Sequence, residues 1–444
     1  MSNEGLSRRT FLGTASLAAL GASIVPRHVL GGPGYQAPSD TLNVAAVGAG
    51  GIGVSNLAAV ESENVVALCD IDWQRAQPSF ERFPRAARYR DFRIMFDEMG
   101  SEIDAVMICT PDHTHAVIAS RAMRMGKHVY VQKPLTYSIR EARVLNDLAA
   151  ETGVVTQMGN QGHSGEGARR INEWIRAGVI GEVQAVDAWS DRPAGWWPQG
   201  VEAPSAPMKL PDHVAWDLFL GPAPYRQYHT DYHPFNWRGW VDLGTGALGD
   251  MGAHLIDHPV WALELGYPST VETTSTPFNN VSHPNAQLVH YTFPREGEPP
   301  LPLTWYDGGL KPAKPPEMPA DEQLPNNGVL FHGEDGILLH ETYGENPRLL
   351  PADRMAEAQE IEETLPRVAV SHEMNWVQAC KGTAEATCPL SYAAPLTETM
   401  LLSVVALRAG QKIEWDGAAG RVTNLPEANQ YLQRPAYRGG WSLE

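Results

Sequence analysis

The sequence predicts an α/β chain. An N-terminal parallel sheet is wound on both faces with helices, and a second α/β domain follows, built on a large, mostly antiparallel sheet. Three observations predict it. Short apolar runs alternate with helix-like segments between Asn43 and Met158. A glycine loop, Gly48-Ala49-Gly50-Gly51-Ile52-Gly53, follows the first of those runs. Beyond Ser164 the strand-like runs are joined by turns rather than by helices, which points to antiparallel pairing.

In chain order, residues 1–38 stand apart. Ser7-Arg8-Arg9-Thr10-Phe11-Leu12 sets paired arginines before the Ala/Gly-rich stretch 12–25. That pattern resembles a twin-arginine export signal, with processing expected between Val25 and Ala37 and a periplasmic or exported destination. The route carries folded proteins, which suits a chain that must take up a cofactor before crossing.

The first domain is expected over 39–160. Residues 43–47 read as a buried strand, 52–60 as a helix, and 65–69 and 104–109 as further strands, with 129–131 next. Alternation of this kind implies right-handed βαβ units whose strand ends converge on a ligand. In the loop, Gly48 allows a tight turn, Gly50 close backbone approach and Gly53 close helix packing. Gly51 and Ile52 open the helix, whose N-terminus faces phosphate charge. Asp70 ends the second strand, where a carboxylate accepts from adenosine ribose hydroxyls. Together these define a Rossmann dinucleotide site for NAD. Asp70 repels a 2′-phosphate, while Arg75 leaves NADP open. Gln132-Lys133-Pro134 ends the 129–131 strand at the same sheet edge, placing Lys133 to donate to a substrate oxygen. Ser138, with Glu141 three residues on, starts a helix over 138–151 that Gly153 ends. A last strand over 154–158 leads into Gly159-Asn160-Gln161-Gly162-His163.

The second domain is expected over 161–444, with a helix at 167–178 and strands at 183–190, 271–274, 286–293, 303–306, 329–332 and 337–340. The proline-rich segment 298–325 reads as a surface loop, and 372–381 and 395–410 as helices that pack back on the first domain. Of the 13 tryptophans only Trp73 precedes this domain. Trp189, Trp196, Trp197, Trp237 and Trp240 cluster among polar, proline-broken segments, either as packing or as flat faces for a sugar ring. Asp250, His254 and His258 fall at helical i, i+4 and i+8. Three roles stay open for them: a base (His254) oriented by Asp250, a metal set, or satisfied core groups.

Charge and composition limit the partners. A formal charge of −18 and a pI near 5.3, with no Lys/Arg cluster, argue against nucleic acid or an anionic membrane surface. No apolar run reaches the length of a spanning helix. Cys69, Cys109, Cys380 and Cys388 form no CxxC pair, and buried thiols fit them better than a Cys380–Cys388 disulfide.

Taken in order, the glycine loop, Thr110-Pro111-Asp112-His113-Thr114-His115, Gln132-Lys133-Pro134 and Asp250-Met251-Gly252-Ala253-His254 give the chain a resemblance to the Gfo/Idh/MocA oxidoreductases. It spans nearly everything after the export signal. The resemblance implies Lys133, Asp250 and His254 as the catalytic group, and Thr110, Pro111, His115 and Gln132 beside the dinucleotide. Gln132 stands where many members have Glu. Similarity to exported members rests on Asn160-Gln161-Gly162-His163, Trp237-Arg238-Gly239-Trp240 and the tail Tyr437-Arg438-Gly439-Gly440-Trp441. It offers Asn160, His163, Trp237 and Arg238 to the substrate. The implied activity is NAD(P)-dependent oxidation of a secondary hydroxyl on a sugar, polyol or glycoside, with the cofactor tightly held and no metal. A redox-neutral glycosidase or epimerase working through a transient keto-sugar is the second class, and a non-catalytic binding protein the third. An exposed antiparallel sheet would suit a homodimer or tetramer.

Overall fold

The computed structural model describes residues 40–444; the export motif and the processing region lie outside them. The glycine-rich first third forms a six-stranded parallel sheet. Its strands are β1 (Asn43–Val47), β2 (Asn64–Cys69), β3 (Ala87–Tyr89), β4 (Ala105–Ile108), β5 (His128–Val131) and β6 (Thr156–Met158), ordered β3-β2-β1-β4-β5-β6. That order reverses between β1 and β4, so the strand ends open a crevice at the point where dinucleotides bind. The β1 residues Val44 and Ala46 face one apolar layer, Ala45 and Val47 the other, so helices cover both faces. These are α1 (Ile52–Ala59), α2 (Gln77–Arg82), α3 (Phe92–Met99), α4 (Asp112–Arg124) and α5 (Ile139–Thr152). At the start of α5, Ser138 and Glu141 form the reciprocal capping box their spacing predicts. Gly153 closes the helix in the left-handed region at φ 65°.

The second sheet has nine strands in the order β13-β12-β11-β7-β10-β9-β8-β14-β15. They are β7 (Val183–Trp189), β8 (Thr270–Ser275), β9 (Gln287–Arg295), β10 (Glu298–Tyr306), β11 (Gly328–Gly333), β12 (Ile337–His340), β13 (Arg348–Leu350), β14 (Ile413–Asp416) and β15 (Arg421–Val422). Only β7 and β10 run parallel. One expectation fails here, because the segment 298–325 is not all loop. Its first nine residues are β10, with Pro299 and Pro300 at the register irregularity between Glu298 and Leu301 and Pro302 back in register opposite Thr292.

Helices α6 (Glu166–Arg176), α7 (Trp216–Leu220), α8 (Gly246–Leu255), α9 (Asp257–Ala262), α10 (Met355–Gln359), α11 (His372–Cys380) and α12 (Leu390–Ala409) complete the chain. α12 begins at Leu390 rather than at Pro395, which lies inside the helix and forgoes one i→i−4 hydrogen bond. Its 20 residues are long and apolar enough to cross a membrane by length and composition, but its apolar window is 78% buried inside the protein. α12 packs on α5 and β8, and α11 packs on β5 through Trp376 and Tyr130. The four cysteines are free thiols.

Candidate active site

The glycine loop forms a cradle too tight for side chains. A Cβ on Gly48, whose φ is +87°, would lie 2.6 Å from the Cys109 backbone, and one on Gly53 would collide with the Gly48 carbonyl. Asp70 reaches across from β2. Its Oδ2 accepts from the Gly50 amide at 2.8 Å and its Oδ1 from the Asp72 amide at 2.8 Å. Burial raises the Asp70 carboxyl to about 6, with those amides opposing the rise, so at neutral pH it is an acceptor with lone pairs to spare. Among the described residues the amides of Gly51 and Ile52 have no partner, and both residues line the cleft. These features fit a dinucleotide: a glycine cradle for pyrophosphate, free amides at a helix N-terminus and a ribose acceptor. The cleft itself is about 1130 Å³, room for a dinucleotide and a second molecule.

Gly48, Gly50, Gly51, Ile52, Asp70, Arg75, Thr110, Pro111, Gln132 and Lys133 all line this cleft, as do Trp237, Arg238, Asp250 and His254. The remaining expected residues are placed elsewhere. Gly53 lies behind the loop as a packing contact. His115 sits behind the Thr110–Pro111 wall, its ring nitrogens 2.9 Å from the Pro134 carbonyl and 2.7 Å from that of Thr110, so it ties the two loops together. Asn160 and His163 are not on the cleft. Asp257 draws both inward, accepting from Asn160 at 3.1 Å and from His163 at 2.9 Å, and also from Tyr392 at 2.7 Å. Of the tryptophans, Trp189 and Trp240 are core, while Trp196, Trp197 and Trp237 reach the cleft.

The catalytic-type residues meet from both domains. Lys133 Nζ donates to the Asp250 carboxylate at 2.9 Å and to its carbonyl at 2.8 Å, and Arg238 Nε donates to the same carboxylate at 3.2 Å. Burial alone would raise the Asp250 carboxyl; Lys133 and Arg238 outweigh it and hold the group well below the usual carboxylate range. His254 follows one turn later on α8. The expected Asp250–His254 hydrogen bond is absent: Lys133 and Arg238 both donate to Asp250 Oδ1, and His254 meets the carboxylate only through its field. His254 Nδ1 is buried with no partner, which leaves Nε2 as the nitrogen on the cleft side. Burial first, and Lys133 second, push the imidazole well below its ordinary value. His258 does not share this face. The helix is interrupted at Ile256, and His258 on α9 packs edge-on to His340 with ring centroids 4.8 Å apart.

Several contributors escaped the sequence reading. Asp112, the first residue of α4, accepts from the Thr245 amide at 3.1 Å and hydroxyl at 2.7 Å, fixing the start of α8 against the first domain. Burial raises that carboxyl to about 7. Asn56 bridges Gln132, at 2.8 Å, and Glu373, at 2.6 Å, so the uncharged Gln132 fits a site where a carboxylate is already near. Tyr343, in the turn after β12, packs edge-on to His254 at 4.7 Å. The Asp-His pair after the Thr-Pro and the Gly344 turn were the available signals.

A parallel sheet with a dinucleotide cradle, facing a second domain that supplies Asp and His, defines a two-domain NAD-binding oxidoreductase. Residues 42–160 match a family profile described as "Oxidoreductase family, NAD-binding Rossmann fold", and residues 175–283 match its "C-terminal alpha/beta domain". The chain belongs to the Gfo/Idh/MocA oxidoreductase family. It is 29% identical over 202 residues to a glycosyl hydrolase family 109 protein of Shewanella pealeana, covering 40% of this chain and 44% of that one. It is 38% identical over 80 residues to scyllo-inositol 2-dehydrogenase (NAD(+)) of Bacillus subtilis, covering 18% of this chain and 23% of that one. The chain thus spans less than half the length of each of these curated relatives. Among solved structures, the WlbA dehydrogenase of Bordetella pertussis in complex with NADH and UDP-GlcNAcA has a TM-score of 0.60 at 14% identity, over 85% of this chain and 99% of that one. At that identity the likeness is one of fold.

Proposed function

We propose that this cleft oxidises a secondary hydroxyl of a sugar, polyol or glycoside, with His254 as proton acceptor and Lys133 steadying the alcohol oxygen. The observation that carries it is the meeting of Lys133, Asp250 and His254 in the cleft that also holds the glycine cradle and Asp70. NAD, held by the glycine loop and Asp70, supplies the hydride acceptor. Neutral His254 takes the hydroxyl proton at Nε2, and the imidazolium so formed is stabilised by the fields of Asp250 and Asp257 rather than by a direct bond. Lys133 keeps two donors on Asp250 and turns its third toward the oxygen on which negative charge grows. Trp197 and Trp237 line the same cleft, and an indole ring suits the C–H groups of a sugar.

Lys133→Ala and His254→Ala are expected to keep NAD bound and lower single-turnover hydride transfer by about 10²–10⁴-fold. Wild-type rates in both variants would reject the assignment. A second reading is favoured by the similarity to family 109 glycosyl hydrolases: a redox-neutral glycosidase or epimerase that oxidises its sugar only transiently. Aryl glycosides tested beside free sugars separate the two. Released aglycone without accumulated NADH supports the second reading, and net NADH the first. We also propose that the chain is exported folded through the twin-arginine motif with NAD in place. NAD recovered from dialysed, extracytoplasmic protein is the expected result.

A further inference from the structure

Two guanidinium groups in the same cleft are only partly engaged. Arg192, in the loop after β7, lies over the Trp196 ring at 3.3 Å from its centroid and pairs through Nη1 with its neighbour Asp191. Among the described residues its Nε and Nη2 have no partner. Arg238 spends Nε on Asp250 and Nη1 on the Phe235 carbonyl, leaving Nη2 without a partner among the described residues. Its guanidinium carbon lies 4.2 Å from the ring centroids of both Phe235 and Trp237. Both arginines are removed from bulk water, their side chains only 14% and 21% exposed.

Lys133 and Arg238 share Asp250, Arg192 pairs with Asp191, and Glu166 on the same wall is taken by Arg170 and Arg367. Tyr343 connects the groups: its ring packs on His254, and its hydroxyl feels both Asp250 and Arg192. A half-buried cation with idle N–H donors, set beside a reactive centre, is a counter-charge waiting for a ligand.

We propose that the substrate is a sugar acid. Its carboxylate is gripped by Arg192 and the free edge of Arg238, which presents a nearby hydroxyl to Lys133 and His254. This rests on the function proposed above for the same cleft. A carboxylate suits the site better than a phosphate, because a guanidinium fork set over an aromatic ring matches a planar two-oxygen acceptor.

The test is equilibrium binding to dialysed, NAD-loaded protein, followed by tryptophan fluorescence and calorimetry. The probes are D-glucuronate, D-galacturonate and D-mannuronate, each beside its neutral parent hexose, with glucose 6-phosphate as a further arm. At least one uronate is expected to bind about 10-fold or more tightly than its parent, a preference that shrinks as salt rises. Arg192→Gln is expected to cut that ratio to within about threefold, and Arg192→Lys, which keeps the charge but loses the fork, to an intermediate value. Melting curves of both variants report on folding, and the wild-type ratio and its salt dependence stand without them. Parents binding as tightly as every uronate, tighter binding of glucose 6-phosphate, or no binding of any probe would overturn the proposal. The His254→Ala and Lys133→Ala variants keep the two ideas separable. They are expected to retain the uronate preference in binding while losing turnover, so failure of the chemistry appears in the variants and failure of the sugar-acid assignment in the ratio.

Discussion

Removing the charge from Asp250 while keeping its shape asks what that carboxylate does. It accepts from Lys133 and Arg238 together at Oδ1, so Asp250→Asn keeps an acceptor oxygen but leaves two half-buried cations without their counter-charge. The Lys133 ammonium is then held less firmly. Turnover is expected to fall by about 10²-fold with NAD affinity unchanged, measured as kcat beside cofactor titration. Because the Asp250 field also supports the His254 imidazolium, the same change is expected to move the acid limb of the pH profile further down. That limb carries a second prediction. Since burial and Lys133 depress the His254 imidazole, it stays neutral, and able to take a proton, well below pH 6.5. kcat/KM is therefore expected to hold through pH 6 and to fall only at lower pH. A limb centred near 6.5 would show that His254 is not the titrating base.

Elements from the far end of the chain pin the catalytic platform. Glu141, which caps α5, also receives Arg434 Nε at 3.2 Å and the Tyr437 hydroxyl at 2.9 Å from the tail. Arg434 donates in addition to the His113 carbonyl, at 3.1 Å on α4. Both ionic partners are buried, so Arg434→Ala strands a carboxylate in the core and is expected to cost about 3–5 kcal/mol in urea unfolding. An effect under about 1 kcal/mol would mean the tail is peripheral. Such long-range ties mark the limit of what sequence could tell. Gly48, Gly53 and the Ser138/Glu141 box were legible because each acts through local backbone geometry. The family motifs brought Lys133, Asp250 and His254 together by their order alone. What stayed hidden was the choice of partner: helical spacing puts Asp250 and His254 on neighbouring turns but cannot say that the carboxylate pairs with Lys133 and Arg238 instead. Asn160 and His163 were misplaced for the same reason, since Asp257, remote in sequence, holds both away from the cleft.

At the scale of the whole molecule, many buried, uncharged histidines set how the protein responds to acid. His233, His258, His283 and His372 are each pushed down to about 4, chiefly by burial. An unfolded chain protonates these rings near 6.5, whereas the folded protein does not until about 4. Between those values each ring therefore removes about 1.4 kcal/mol of stability per pH unit. Asp70, Asp112 and Asp307 work in the opposite sense. Burial raises them to about 6, 7 and 7, so the folded state binds their protons first and gains stability on acidification. His115, His254 and His340 are also depressed, so the histidines prevail and stability is expected to fall from pH 6.5 toward pH 4. His258 offers the cleanest check, because both its ring nitrogens are buried without a partner and it lies off the cleft. His258→Leu removes one depressed ring and leaves no polar group stranded. Compared with the parent, its urea-derived stability should decline by about 1.4 kcal/mol less per pH unit between 6 and 5. Parallel slopes for the two proteins would show that His258 takes up its proton equally in the folded and unfolded chains, and that its burial does not govern acid stability.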